Sequence, residues 1–179
     1  GKPLARYWLH NGFLDMNGVK MSKSLGNVVL VNDLLADWPG EAIRWALLSA
    51  HYRAPLDFTD DLLGQSRASL HRLYGAVMRI DGVAPAARQT PQAMLEALAD
   101  DLNTPKATAV LADLATAANT AKKPGAMAEA KADLLNAAAL FGVLAQTPQA
   151  WFQHGDPAEI AEIERLVAER AAARAAKDW

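Results

Sequence analysis

The sequence contains no cysteine. Disulfides and thiolate-ligated zinc are therefore excluded from these 179 residues, and the composition is compatible with a cytoplasmic protein. An excess of basic charge is also lacking. Eighteen Lys and Arg face twenty Asp and Glu, for a net charge of -2. Any contact with nucleic acid must then come from local basic patches rather than from overall attraction. Apolar runs are broken by charges or prolines well short of the about 18 residues that mark a bilayer span, so no membrane partner is expected. The start, Gly1-Lys2-Pro3-Leu4-Ala5-Arg6, has no apolar core of a signal peptide. It also lacks Met, and the end stops in a helical pattern at Trp179, which reads as an excised segment. The four histidines, His10, His51, His71 and His154, do not cluster, and no H-x-x-x-H spacing is present, so no metal site is expected. With 51% hydrophobic and 21% charged residues the chain has what a folded core requires.

Two regimes follow one another. Residues 1 to about 58 mix aromatic and β-branched residues with Gly and Asn. From about 59 onward Ala and Leu dominate. The turn pair Asn17-Gly18, both residues tolerant of positive φ, predicts a strand or hairpin over about 13–20. The loop Lys20 to Asn27 follows. Val28 to Val31 reads as a short buried run, strand or extended, and Asn32 or Asp33 as the cap of a short helix ending before Pro39. A helix over about 41–51 carries Ile43, Ala46, Leu47 and Ala50 on one face. Beyond it, Thr90-Pro91, Thr104-Pro105, Thr147-Pro148 and Asp156-Pro157 each place a capping oxygen before a proline that has no N–H to lose. Thr59 with Asp60 and Asp61 is a start of the same kind. Helices are predicted near 60–80, 91–101, 105–122, 125–145 and 157–178, with a turn at 148–153. The fold class is mainly α: a short β/α segment carrying the loop, then an antiparallel helical bundle.

The loop Lys20-Met21-Ser22-Lys23-Ser24 is the specific chemical signal. Two ammonium groups three residues apart, among serines and beside Gly26, can close over a polyphosphate. A compact ammonium suits phosphate oxygens whose charge redistributes during reaction. Two lysines alone would read as a solvated surface loop; the whole string in its setting, between a turn and an apolar run, favours phosphate.

Lys20 to Ser24 matches without substitution the KMSKS signature of class I aminoacyl-tRNA synthetases. The flanks resemble one branch of that class. Tyr7-Trp8-Leu9-His10-Asn11-Gly12-Phe13-Leu14, Leu25-Gly26-Asn27, Ala50 to Phe58, Asp100 to Pro105 and Ala172 to Trp179 are similar to cysteinyl-tRNA synthetases, so the resemblance covers essentially the whole chain. It implies that residues 1–58 are the end of a Rossmann-type catalytic domain and a stem-contact segment, and that 59–179 are a helical tRNA-binding bundle of the anticodon side, truncated at its C-terminus. It implies ATP, with Mg2+, cysteine and tRNA(Cys) as partners, Lys20 and Lys23 as catalytic residues, and Lys20, Met21, Ser22, Lys23 and Ser24 as the ATP contacts. The family's His-Ile-Gly-His signature and zinc ligands would lie outside this segment, which alone is expected to be inactive and which holds no metal ligands of its own. The whole enzyme is expected to be monomeric. Two alternatives stay open on these residues: the related cysteine–amino-sugar ligase of mycothiol synthesis, and a non-catalytic RNA-binding module with a vestigial loop.

Other residues carry double readings. Arg67, Arg72 and Arg79, and Arg170, Arg174 and Lys177 on the last helix, are candidates for tRNA-backbone contacts. The alternative is a solvated face paired with Glu159, Glu162, Glu164 and Glu169. Asp100, Asp101 and Asn103 read as helix termination and capping around Thr104-Pro105 rather than as an acid–base pair. His51 reads as a structural residue of the turn after its helix. Trp45 reads as a buried anchor.

Overall fold

In the computed structural model, residues 3–153 and 157–176 are described. They form two compact units, 1–145 and 146–179. The first unit opens with a hairpin, β1 (Leu14–Met16) and β2 (Val19–Lys20), paired antiparallel with Met16 opposite Val19. Asn17 (φ 52) and Gly18 (φ 75) both take the positive φ that a tight hairpin turn of this hand demands. A third strand, β3 (Leu56–Asp57), adds parallel to β1, giving the order β2-β1-β3. The carboxylate of Asp57 accepts from the Gly18 amide at 3.0 Å, tying the turn to the far strand.

Between hairpin and β3 lie α1 (Val31–Asp37) and α2 (Gly40–Leu48). The sheet rests on α2 and on the first turn of α3 (Asp60–Arg79) through Ile43, Ala46, Phe58 and Leu63, with Leu14, Met16, Trp38 and Leu56 packed around them. Burying such apolar side chains is the main stabilising term, about 1.5–3 kcal/mol for each large one. Along α3 the buried positions Leu63, Ser66, Leu70, Leu73 and Val77 recur at three- and four-residue spacing, the mark of a helix with one wet face. α4 (Gln92–Ala99), α5 (Thr104–Thr120) and α6 (Pro124–Phe141) complete the unit, α5 packing on α3, α4 and α6. The expectation of a mainly α protein holds, with 61% of the described residues helical.

Three helix ends are closed by cations, a device the sequence pattern hides. Arg79 donates to the carbonyls of Ala118 and Ala121 at the end of α5. Arg44 donates to Phe141 O at the end of α6. Lys131, buried, donates to Asp81 O just past α3 at 2.8 Å. Each places positive charge on the unsatisfied carbonyls at the negative end of a helix dipole. Glu41 does the reverse: it accepts from the amides of Leu144 and Ala145 and from the Tyr74 hydroxyl. Trp45 is buried as expected, edge-on to Phe141 at 5.7 Å.

Some local expectations fail. Val28 to Val31 form no paired strand, and only Val29 of the four is half-buried; Val31 already begins α1, whose cap is Leu30 rather than Asn32 or Asp33. The first residues of α1 therefore have no side-chain cap. Thr104 does not cap α5: Asn103 does, accepting from Lys106 N at 3.1 Å, while the Thr104 hydroxyl donates to Ala50 O at 3.0 Å. Thr90 likewise yields to Pro91 at the start of α4, with no side-chain cap. Thr59 and Thr147 cap as their sequences suggest, accepting from Leu62 and Ala150. Asp156 lies outside the described residues.

The second unit contains α7 (Pro148–Phe152) and α8 (Pro157–Ala176). On α8, Arg165 pairs with Glu162 at 2.6 Å and with Glu169 one turn on.

Candidate functional site

The lysine loop leaves β2 and is folded back on the hairpin by local bonds. Met21 N donates to Leu14 O at 3.0 Å. The Asn27 side chain closes the loop from its far end: its carbonyl accepts from Ser22 N at 2.9 Å, and its amide donates to Lys20 O at 3.2 Å. One side chain thus replaces the ladder that ends at β2. Lys23 to Leu25 form a single 3-10 turn, ended by Gly26 at φ 66. Met21 is half-buried and faces the sheet core, lining a void of 60 Å³ with Leu14, Val29, Ile43 and Phe58. That apolar anchor and the Asn27 amide fix the base of the loop, while Ser24 and both lysines face solvent.

The two lysines differ. The Lys20 ammonium sits 3.9 Å from the centre of the Phe13 ring, a cation–π contact. Lys23 heads the 3-10 turn, and the Ser22 and Ser24 hydroxyls beside it are 3.2 Å apart. The loop therefore presents one lysine parked on an aromatic face and one held at the head of a tight turn with two hydroxyls. Such a set can bind and neutralise a polyphosphate.

Behind the loop, the turn after α2 is gripped by the bundle. Asp101, between α4 and α5, accepts from the Tyr52 hydroxyl at 2.7 Å, and from Arg53 Nε at 2.7 Å and Nη2 at 3.3 Å. Asp101 and Leu102 both hold positive φ, at 50° and 54°. For non-glycine residues this is strained, and Asp tolerates it better than most. His51 stacks on Tyr52 at 4.9 Å and its Nδ1 accepts from Arg53 N, in line with a structural role in the turn. In the sequence Asp101 reads as part of a helix stop; its partners in space are about fifty residues away, so no local pattern reveals the pairing.

The Arg53 and Tyr52 hydrogen bonds hold the Asp101 carboxyl down at about 2. A depressed carboxyl contributes stability above its ordinary range and loses it as pH falls through the folded value. The grip should therefore be intact at pH 4 and disappear only as pH drops towards 2. A carboxyl-carbon NMR titration of Asp101 checks this: a midpoint near the ordinary 3.8 would mean that the pairs are not formed in solution.

The arginines proposed for RNA are dispersed. Arg67 stacks over Trp38 at 5.2 Å. Arg72 donates to Ser69 Oγ and lines a cavity of about 660 Å³ between α2, α3 and α5, with Trp45, Leu73, Thr108, Thr116 and Asn119. Arg79 is engaged on the end of α5. Arg170 and Arg174 are exposed on α8, and Lys177 lies outside the described residues. Among the described residues, no three His, Cys, Asp or Glu side chains are grouped so as to hold a metal ion, and no helix is long and apolar enough to cross a membrane.

Comparison with known proteins agrees with this geometry. Residues 1–68 match the family model described as tRNA synthetases class I (C) catalytic domain, and residues 93–146 match the DALR domain. Cysteine–tRNA ligases of Maricaulis maris and Parvibaculum lavamentivorans are 54% and 56% identical over 100% and 99% of this chain. That of Xanthomonas campestris is 49% identical over 100% of this chain. The chain spans 39% of the length of each of these relatives. The first match contains the lysine loop and the whole three-stranded sheet, and the second contains most of α4 and all of α5 and α6. Over its whole length the chain is thus similar to part of the cysteine–tRNA ligases, through a segment matching the class I tRNA synthetase catalytic domain and a segment matching the DALR domain.

Proposed function

We propose that this chain is the ATP-loop and tRNA-binding part of an enzyme that activates cysteine and joins it to tRNA(Cys) in the cytoplasm. The observation that carries the reading is the lysine loop, closed by Asn27 at its base with Lys23 at the head of its turn, in a chain about 55% identical to cysteine–tRNA ligases. In the first step a cysteine carboxylate oxygen attacks the α-phosphorus of ATP, and the bond to pyrophosphate breaks. Negative charge then gathers on the leaving oxygens, where Lys23, and secondarily Lys20, would stabilise it. The backbone and hydroxyls of Met21, Ser22 and Ser24 would line the polyphosphate. In the second step a ribose hydroxyl at the tRNA 3′ end attacks the adenylate carbonyl and AMP leaves.

Residues 1–58 would form the catalytic side of the enzyme and 59–179 the tRNA side, with Arg67, Arg72, Arg170, Arg174 and Lys177 as phosphate contacts. Arg79 is the weakest of that set, because its guanidinium already closes α5. Among the described residues no three His, Cys, Asp or Glu side chains are grouped, so in this reading Mg2+ would be carried on the triphosphate, and zinc would be bound by residues elsewhere in the enzyme. The enzyme would act as a monomer. Cysteine-dependent pyrophosphate exchange, followed by charging of tRNA(Cys), tests the reading on the full-length protein. Exchange with cysteine well above that with serine is expected. Exchange without tRNA charging would move the protein to another cysteine ligase, and no exchange at all would leave the loop without its assigned chemistry.

A further inference from the structure

The contacts of Asp101 and Thr104 with residues 50–53 do not touch the lysine loop, yet a chain of backbone bonds connects them to its base. Asp101 holds Tyr52 and Arg53 by three hydrogen bonds, and Thr104 holds Ala50 O. The Tyr52 carbonyl accepts from Gly12 N at 2.7 Å, which fixes the chain entering β1. Phe13, next along, carries both the ring under Lys20 and the carbonyl that accepts from Leu56 N at 2.9 Å. Leu14 O accepts from Met21 N. Four short steps thus connect a strained loop of the bundle to the base of the lysine loop. The strain bears on this point. Two consecutive non-glycine residues at positive φ persist only where the surroundings hold them, and here the Asp101 carboxylate is the group that their conformation aims.

We propose that Asp101 is a positioning residue for the lysine loop: by clamping Tyr52 and Arg53 it sets the placement of Gly12, β1 and Met21, and so joins the bundle to the ATP step. The placement of Lys23 in the activation step rests on the function proposed above; the clamp itself rests only on the contacts. A misplacement of about 1 Å at a charge-stabilising group can lower a rate by up to about a hundredfold, so a modest loosening is measurable.

The test uses the full-length protein and Asp101→Asn, which keeps the shape, tolerates positive φ and retains one acceptor oxygen while removing the charge. Amide hydrogen exchange at Met21 and Ser22 is the first readout. It should quicken about tenfold, with the Leu73 amide in α3 unchanged. The second readout is pyrophosphate exchange in a double-mutant cycle with Lys23→Ala. Asp101→Asn alone should lower kcat about tenfold and leave the KM for ATP within about twofold. In the Lys23→Ala background it should lower kcat by less than about twofold, because a residue acting through Lys23 has nothing left to act on. Full multiplication of the two effects would mark Asp101 as a general stability residue and overturn the proposal. Unchanged exchange at Met21 and Ser22 would overturn it as well. If the wild-type protein showed no pyrophosphate exchange, the ligase reading would fail, and the amide readout would still decide the clamp.

Discussion

Replacing Lys23 by Ala in the full-length protein should slow cysteine activation by roughly a hundred- to a thousand-fold, about 3–4 kcal/mol, the scale for losing one preorganised charge-stabilising donor. Lys23 begins the 3-10 turn and is exposed, with the Ser22 and Ser24 hydroxyls beside it and no ion pair among the described residues. Its ammonium should matter most when pyrophosphate begins to leave. An interaction stronger in the transition state than in the ground state lowers kcat and leaves KM for ATP nearly alone. Lys23→Arg should not fully rescue, since a planar fork does not reproduce a point charge at the head of a tight turn. Lys20→Ala should be milder. The Lys20 ammonium already rests on the Phe13 ring, so part of its work is to hold the loop against the hairpin. Rapid-quench kinetics on the three variants separates these roles. A Lys23→Ala enzyme with its activation rate intact and the whole loss in KM for ATP would make the loop a binding clamp only.

Much of this was legible in the sequence because it is local. The Asn17-Gly18 turn, the long Ala/Leu helices and the Thr59 and Thr147 caps each depend on residues within one turn of one another. The lysine loop was legible for a different reason: five contiguous residues carry the signature whole. What stayed hidden is what reaches across the chain. Asp101 meets Tyr52 and Arg53 from about fifty residues away, and in the sequence it looks like half of an acidic helix stop. Arg79 reads in the sequence as a candidate RNA contact, and its bonds to the end of α5 are invisible there. Asn27 sits next to Gly26 and reads as an ordinary turn residue, although its amide is what closes the loop on Lys20 and Ser22. The misread cap of α5 has the same origin. Thr104 precedes a proline and has the right hydroxyl, but Ala50 O takes that hydroxyl as its donor, and the cap passes back to Asn103. Val28 to Val31 read as a buried run from apolarity alone, and apolarity does not say whether a neighbouring strand exists to pair with.

Gly12→Ala should be the most damaging single methyl in the first unit. A Cβ built there would lie 2.1 Å from Ala54 O, 2.3 Å from Ala54 C and 2.8 Å from Pro55 N. These are backbone atoms at the entrance to β3, and Pro55 leaves that backbone little torsional freedom. No rotamer change can relieve the clash, so the two segments must part. Parting them stretches the 2.7 Å bond from Gly12 N to Tyr52 O and, one residue on, the bond from Leu56 N to Phe13 O. Overpacking of this kind costs about 1–3 kcal/mol, and two weakened hydrogen bonds add about 1 kcal/mol each, for a loss near 3–5 kcal/mol. For a protein of this size that corresponds to a fall of about 10 °C in Tm. Gly64→Ala is the control. It lies within α3 with no atom within 4 Å of its added methyl, so it should stabilise by about 0.5–1 kcal/mol through helix propensity. Urea denaturation of both variants beside the parent decides the matter. Equal midpoints for Gly12→Ala and the parent would mean that the two backbones do not approach as closely as 2.1 Å implies, and the path from Tyr52 through Gly12 to the lysine loop would lose its first link.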